Sequence, residues 1–283
     1  MTKQVSFTKM TAAGNDFVMI DNRSGIMPAS RRAVSALARR LCDRKYGAGA
    51  DGMILLERSR RADFRMRYLN ADGSEVSMCG NGARSIARFA ALTGAVKKNR
   101  GVFETPAGII SYELKEDTVR IGLPPVRNIK LGFSLSADGS RLEAHFADTG
   151  VPHVVVFVDN LEKIKVVSLG RAIRYHKKFA PSGANADFVK IKSRSAIAVR
   201  TYERGVEDET LACGTGVTAA AIISGILGYA RPPVKCLTRG GDILTVDYAY
   251  KIDSRSRKIV PSSINEVTLE GPARVVFTGR YNL

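Results

Sequence analysis

The chain has 283 residues, 45% hydrophobic and 25% charged, which suits two soluble domains of moderate size, each with its own core. The most apolar run, residues 217–229, is interrupted by Ser and Gly and falls short of the ~20 residues a membrane-spanning helix needs. Residues 1–7 carry no apolar secretory core, so no membrane partner and a cytoplasmic setting are expected.

The net charge of +17 gathers at residues 31–45, 58–67, 97–100 and 251–258. Such an excess can draw polyanions or acidic metabolites. Aromatic residues do not interleave with these clusters, so solvated helix faces and loops are the ordinary reading and nucleic acid is not an expected partner. The four cysteines (Cys42, Cys79, Cys213, Cys236) have no framework spacing, which points to reduced thiols. No Cys-x-x-Cys pair occurs and His145, His153 and His176 are scattered, so no metal site is expected.

In chain order, residues 5–21 read as a strand, a Gly14-Asn15-Asp16 turn and a second strand. Residues 30–44 read as an amphipathic helix with Val34, Leu37, Ala38, Leu41 and Cys42 on one face, which makes Cys42 a small buried hydrophobe. Strands are expected at 51–57 and 64–69, then a turn at 70–74 and a helix over 83–92. Short strands follow at 102–104, 108–114 and 119–123, and Leu123-Pro-Pro-Val126 reads as a linker. The second half repeats the plan. Strands are expected at 154–158, 186–191 and 196–202, a helix apolar nearly all round at 216–228, and strands at 234–238, 243–250 and 266–277. Strands around a central helix, twice over, give an α+β fold of two similar domains related by duplication.

Two short stretches carry the chemistry. Glu75-Val-Ser-Met-Cys79-Gly-Asn-Gly82 and Glu209-Thr-Leu-Ala-Cys213-Gly-Thr-Gly216 each place a Glu four residues before a Cys, then Gly-x-Gly, then an Ala-rich helix. They lie nearly half the chain apart, as an internal duplication would place them. A helix N-terminus offers unpartnered N–H groups and a partial positive charge. A thiol there is expected to ionise more readily. The glycines let a ligand approach the backbone, so a substrate carboxylate can rest on the N–H groups of Gly80, Asn81, Gly214 and Thr215. A thiolate on one face of an α-carbon and a thiol on the other make a racemase or epimerase. This design needs no pyridoxal phosphate, no lysine stands in a cofactor-binding context, and no cofactor is expected. Cys236 has no special flanks and is expected to be inert. Among other polar residues, His153, Glu203 and Arg204 could serve a site, and Asn15, Asn70 and Asn185 stand in turn contexts.

Long stretches, Phe7-Thr-Lys-Met-Thr-Ala-Ala-Gly-Asn-Asp-Phe17, Asn70-Ala-Asp-Gly-Ser-Glu-Val-Ser-Met-Cys-Gly-Asn-Gly-Ala-Arg84, Glu203-Arg-Gly-Val-Glu-Asp-Glu-Thr-Leu-Ala-Cys-Gly-Thr-Gly216 and Leu269-Glu-Gly-Pro-Ala273, resemble the diaminopimelate epimerase family. The resemblance covers essentially the whole chain. It implies cofactor-independent interconversion of LL- and meso-diaminopimelate in lysine and peptidoglycan-precursor biosynthesis. By position, Cys79 and Cys213 would be the acid/base thiols. Gly80-Asn81 and Gly214-Thr215 would bind the reacting carboxylate. Asn15, Asn70, Asn185, Glu203 and Arg204 would surround the substrate, with Arg204 on its distal carboxylate. His153 and Glu203 would support catalysis near the reacting centre. The implied fold has two domains, residues 1–122 with a returning strand at about 271–283, and residues 123–270. Each is a curled mixed sheet around a central helix, with the active site in the interdomain cleft, and the protein would be a homodimer.

Two positions depart from the pattern. Val151 in Gly150-Val-Pro-His153 stands where asparagine is common, so a side chain that could contact the distal end of the substrate is absent. Gly52 follows Asp51 where some members carry glutamine. Competing readings are a related two-cysteine racemase acting on histidine, proline or hydroxyproline, and a basic nucleic-acid-binding module. A substrate panel separates the first, and salt-dependent binding of labelled nucleic acid would mark the second.

Overall fold

The computed structural model describes residues 4–282. Residues 1–3, where the stretch read above for a secretory core begins, and residue 283 lie outside the described residues. No helix among the described residues is long and apolar enough to cross a membrane. Chain contacts divide the molecule into two units: one runs to Ile121 and resumes at Gly271, and the other spans Gly122–Glu270.

The first unit begins with β1 (Gln4–Ala12) and β2 (Asn15–Asp21), followed by α1 (Arg31–Cys42), β3 (Gly52–Glu57), β4 (Phe64–Asn70) and the short β5 (Glu75–Val76). Then come α2 (Gly80–Leu92), β6 (Arg100–Thr105), β7 (Gly108–Leu114) and β8 (Thr118–Gly122). The second contains β9 (Arg127–Ala137), β10 (Ser140–Asp148), β11 (Pro152–Phe157), α3 (Val166–Arg174), β12 (Asn185–Ser193), β13 (Ala196–Glu203) and β14 (Asp208–Thr210). It continues with α4 (Gly214–Ile226), β15 (Val234–Leu237), β16 (Ile243–Ala249) and β17 (Asn265–Pro272), and the last strand, β18 (Arg274–Asn282), returns to the first unit.

The two units repeat one another pairing by pairing. In the first, the neighbours run β18–β1–β2 antiparallel, β2–β3 parallel, β3–β4 antiparallel, β4–β6 parallel and β6–β7–β8 antiparallel. In the second, β9–β10–β11 are antiparallel, β11–β12 parallel, β12–β13 antiparallel, β13–β15 parallel and β15–β16–β17 antiparallel. Each parallel step needs a crossover. The first is carried by α1 or α3 and the second by α2 or α4. The short β5 and β14 pair with β4 and β13, each just ahead of its second helix. The fold is thus α+β and duplicated.

The middle strands are buried on both faces, as the sequence of β2 shows: Phe17, Val18, Met19 and Ile20 are all buried. One face packs on the first helix, through Val18, Ile20, Val34, Leu37, Leu41, Met53 and Leu55 in the first unit. In the second, Val154, Val156, Ile173, Ala186 and Phe188 do the same. The other helix lies against the strands in each unit, α2 on β1 to β4 and β7, and α4 on β10 to β13, β15 and β16. Every residue from Gly216 to Ile226 is buried, so α4 is enclosed on all sides.

Local chemistry sets the boundaries. Ser30 caps α1 by accepting from the Ala33 N–H at 3.4 Å. The β1–β2 hairpin turns at Ala13 and Gly14, with φ of 51° and 91°, the mirror-type turn that matches strand twist. Three expectations change. The hairpin β9–β10 was not anticipated: β9 is exposed along most of its length, has Asn128 and Gly132 at positive φ, and its ladder with β10 slips register twice, so clean alternation is lost. The single strand expected at 266–277 is two, β17 and β18, because the chain leaves β16 and takes up β1 as its partner around Ala273. The helices expected at 83–92 and 216–228 begin earlier, at Gly80 and Gly214, directly after the cysteines.

Candidate active site

Both motif cysteines are N-caps of the equivalent helices α2 and α4. Each has an extended backbone, φ −145° and ψ 121° at Cys79 and φ −115° and ψ 111° at Cys213. Their carbonyls accept the first helical bonds, from Ala83 at 2.8 Å and Val217 at 3.0 Å. Gly80 and Asn81, and Gly214 and Thr215, therefore occupy the first turn, whose N–H groups have no intrahelical acceptor. The side chains differ. Cys79 is half-buried and its Sγ accepts from the Gly82 N–H at 3.4 Å, so the sulfur itself caps α2. Cys213 is 6% exposed and its Sγ lies 3.4 Å from Thr215 Oγ1.

The repeated Glu, four residues upstream, anchors each cysteine loop. Glu75 on β5 takes Arg67 of β4 in a two-point ion pair, both contacts 3.2 Å. Glu209 on β14 takes Arg200 of β13 in the same way, at 2.6 and 2.7 Å. The Arg partners carried no sequence signal, because they become neighbours only once the strands pair.

In the first unit, a polar chain runs beneath the N-terminus of α2. Asn81 Nδ2 donates to Asn15 Oδ1 at 2.5 Å, and Asn15 Nδ2 donates to Asp51 Oδ2 at 2.9 Å. On its other side, Asn81 Oδ1 accepts from Arg84 Nη2 at 2.6 Å. Arg84 is fully buried and also donates to Gly80 O at 3.4 Å. Asp51 is held in turn by Arg44, which also binds Asp16, and Asp16 pairs with buried Lys9 at 2.8 Å. Burial alone would raise Asp16, but the hydrogen bonds from Arg44 and Lys9 outweigh it and hold its carboxyl at about 2. Asn70 stands apart from this chain. It closes the turn after β4, its Nδ2 donating to Ser74 Oγ at 3.3 Å.

The second unit builds a different chain in the corresponding place. His153, at the start of β11, is fully buried between two partners: Nδ1 lies 2.7 Å from Asp187 Oδ2 and Nε2 lies 2.9 Å from Thr215 Oγ1. Asp187 is also fully buried, and its other oxygen accepts from Thr201 Oγ1 at 2.7 Å. Asn185 Nδ2 donates to Pro152 O at 3.0 Å and lies 3.5 Å from His153 Nε2, while Asn185 Oδ1 accepts from the Arg204 N–H at 2.7 Å. The Arg204 guanidinium donates to Ser182 O at 3.4 Å. Glu203 ends β13 and its charge acts on Cys213.

One expectation is corrected here. A helix N-terminus was expected to make the thiol ionise more readily, yet the Cys213 thiol is pushed well above its ordinary value. Burial is the largest cause, and the negative charges of Glu203 and Asp187 add to it. Cys42 is also pushed up, by burial, to about 12. Cys236 is buried and raised for the same reason. Both sit in the core, Cys42 on the apolar face of α1 as its helical spacing predicts.

Sequence reasoning missed Asp51, Arg84, Asp187 and Thr201. Asp187 had one available signal, a carboxylate inside the apolar strand Asn185-Ala-Asp-Phe-Val189, a placement that a buried partner must explain. Both departures have a local context. A Cβ at Gly52 would come within 2.3 Å of the Tyr68 ring, so that ring occupies the space a side chain would need. Val151 is half-buried in a loop where Gly150 adopts φ 101°.

Comparison with known proteins adds a further finding. The sequence profile described as diaminopimelate epimerase matches residues 7–126 and 145–252, well over half of the chain. A diaminopimelate epimerase from Aquifex aeolicus is 42% identical, covering 98% of this chain and 97% of its own. One from Chlorobaculum tepidum is 41% identical over 97% of this chain and all of its own. Among solved structures, a Bacillus anthracis phenazine biosynthesis protein of the PhzF family aligns at TM-score 0.73 with 15% identity, covering 99% of this chain and all of that one. A probable proline racemase from Agrobacterium radiobacter aligns at TM-score 0.69 with 17% identity, covering 99% and 93%. At such identities the structural matches establish the fold alone.

Proposed function

We propose that this chain, which belongs to the diaminopimelate epimerase family, interconverts LL- and meso-2,6-diaminopimelate by two-thiol proton transfer without a cofactor. The observation that carries this reading is the pair of cysteines capping equivalent helices in duplicated units. The substrate α-carboxylate would lie on the first-turn N–H groups of Gly80 and Asn81 and of Gly214 and Thr215, where helix dipoles favour negative charge. One cysteine, as thiolate, takes the α-proton. The electron pair left on the α-carbon spreads into the carboxylate, where those N–H donors stabilise it. The other cysteine, as thiol, gives its proton to the opposite face. The configuration inverts, and the two sulfurs exchange protonation states, so the next turnover runs in reverse or follows re-equilibration.

Asn15 and Asn81 would contact substrate from the first unit, with Asn70 at its edge. Asn185, Glu203 and Arg204 would do so from the second, with Arg204 on the distal carboxylate and His153 and Glu203 supporting proton transfer. The product would feed lysine and peptidoglycan-precursor synthesis.

The test is deuterium entry. LL-diaminopimelate incubated in D₂O with the protein alone should gain deuterium at one α-carbon as the meso isomer forms. Cys79→Ala and Cys213→Ala should each lower turnover by at least ~10²-fold, the lower range for losing an acid or base. Full turnover in either variant rejects the two-thiol mechanism. Exchange into proline or histidine, with none into diaminopimelate, would shift the reading to another racemase of the same design.

A further inference from the structure

The polar contacts around His153 form one chain that runs from Thr201 and Asp187 to Cys213. Asn185 Oδ1 is occupied by the Arg204 N–H, and Asn185 Nδ2 donates to Pro152 O, which fixes the orientation of that amide. Its NH₂ therefore faces His153 Nε2 at 3.5 Å. Nε2 thus lies between an amide donor and the Thr215 hydroxyl at 2.9 Å, and only an accepting Nε2 suits both neighbours. Nδ1 then carries the proton and donates to Asp187 Oδ2 at 2.7 Å. A carboxylate oxygen has no hydrogen to give and can only accept, and the other Asp187 oxygen receives the Thr201 hydroxyl at 2.7 Å. With Nε2 accepting, the Thr215 hydroxyl donates to it at 2.9 Å. The Thr215 oxygen is left to accept from the Cys213 thiol at 3.4 Å.

We propose that Asp187 is a positioning residue: held by Thr201, it sets the His153 tautomer and, through the Thr215 hydroxyl, orders the chain so that Cys213 keeps its proton. Under the function proposed above, on which this role rests, Cys213 is the thiol of the resting pair. The charged groups facing it act in the same sense: Asp187 on β12 and Glu203 at the end of β13 are acidic, and with burial they outweigh the Thr215 and Gly216 N–H hydrogen bonds, which favour the thiolate, while His153 on β11 meets Thr215. Asp187 packs directly against the start of α4. A Cβ on Gly216 of α4 would lie 2.2 Å from Asp187 Oδ1, so the glycine of the second motif makes room for this carboxylate.

The decisive measurement needs no substrate. Two-bond ¹⁵N–¹H correlation on ¹⁵N-histidine-labelled protein at pH 7.5, with His153 assigned by its loss in His153→Gln, should show the Nδ1–H tautomer. The Nε2–H tautomer or an imidazolium in the wild type overturns the proposal, whatever any variant does. Asp187→Asn presents an NH₂ to Nδ1 and should flip the ring to Nε2–H. Thr215 would then donate to Cys213 Sγ, and pulsed iodoacetamide, read by peptide mass, should label Cys213 about tenfold faster at neutral pH, the change in thiolate fraction for one pKa unit. In a Thr215→Val background the same substitution should accelerate labelling by less than about threefold, because the connecting hydroxyl is gone. A folded Asp187→Asn protein with an unchanged tautomer and labelling rate also overturns the proposal. If Asp187→Asn does not fold, the wild-type spectrum decides. An Nδ1–H tautomer in a protein that leaves diaminopimelate untouched would reject the proposed function and keep the hydrogen-bond direction. Turnover with an Nε2–H ring would do the reverse.

Discussion

Glu209 grips Arg200 with both carboxylate oxygens, at 2.6 and 2.7 Å, four residues ahead of Cys213. Both side chains are largely buried, with 16% and 12% exposed. Its counterpart ahead of Cys79, Glu75 with Arg67, is looser at 3.2 Å and Glu75 is 34% exposed. Glu209→Ala should therefore destabilise the protein by about 3 kcal/mol, as expected for a buried pair broken on one side. Glu75→Ala should cost about 1 kcal/mol or less. Urea unfolding followed by circular dichroism checks the order, and equal losses would refute it.

Gly216→Ala should be among the most damaging single-methyl changes in the chain. Its Cβ would meet Asp187 Oδ1 at 2.2 Å and Thr201 Oγ1 at 3.1 Å, and both are already locked in hydrogen bonds. A loss of about 3 kcal/mol is expected from overpacking at a site that cannot yield. Gly240→Ala, whose Cβ would meet Leu211 Cβ at 3.3 Å, is the control and should cost less than about 1 kcal/mol. Thermal unfolding of the two variants side by side makes the comparison.

Asn81→Ala removes the 2.5 Å bond to Asn15 and takes from Arg84 its 2.6 Å acceptor, in a place where Asn81 is 3% exposed. Leaving such groups short of a partner should cost about 2 kcal/mol. Under the proposed function, epimerisation should also fall at least ~10-fold, because Asn15 and the first turn of α2 lose their registration. Retained turnover in a folded variant would place the reacting carboxylate elsewhere.

Acid should loosen the first unit through Asp16. Its carboxyl is held at about 2, below the usual 3.8. A depressed carboxylate contributes stability that is fully present above the unfolded value and is lost as pH falls through the folded one. Between about pH 4 and pH 2 the protein should therefore lose on the order of 2 kcal/mol from this group. Asp16→Asn should flatten that part of the stability curve. Urea midpoints at a series of pH values give the answer, and parallel curves for the two proteins would exclude Asp16 as the source.

Much of this molecule is legible locally. The helix after Ser30, the hairpin of β1 with β2 and the enclosed helix α4 follow from helical spacing, turn residues and an unbroken apolar run, although α2 and α4 start at Gly80 and Gly214, ahead of the expected 83 and 216. Interactions within one turn of a helix or one hairpin need no knowledge of the rest of the chain. What the reading lost lay where that condition fails. The hairpin β9–β10 has slipped registers, and β18 is told from β17 only by its partner.

The sequence by itself determined the duplication and the pair of cysteine motifs, because a motif repeated with its glycines and its helix is a local pattern. Only the tertiary structure decided how the two halves differ. Sγ of Cys79 caps its own helix, whereas Cys213 is buried beside Glu203 and tied to Asp187 through His153 and Thr215. The physical reason is that protonation and hydrogen-bond direction depend on burial and on neighbours brought from other strands. Asp187 reaches Thr201 only through the β12–β13 register, and His153 only through the parallel pairing of β11 with β12.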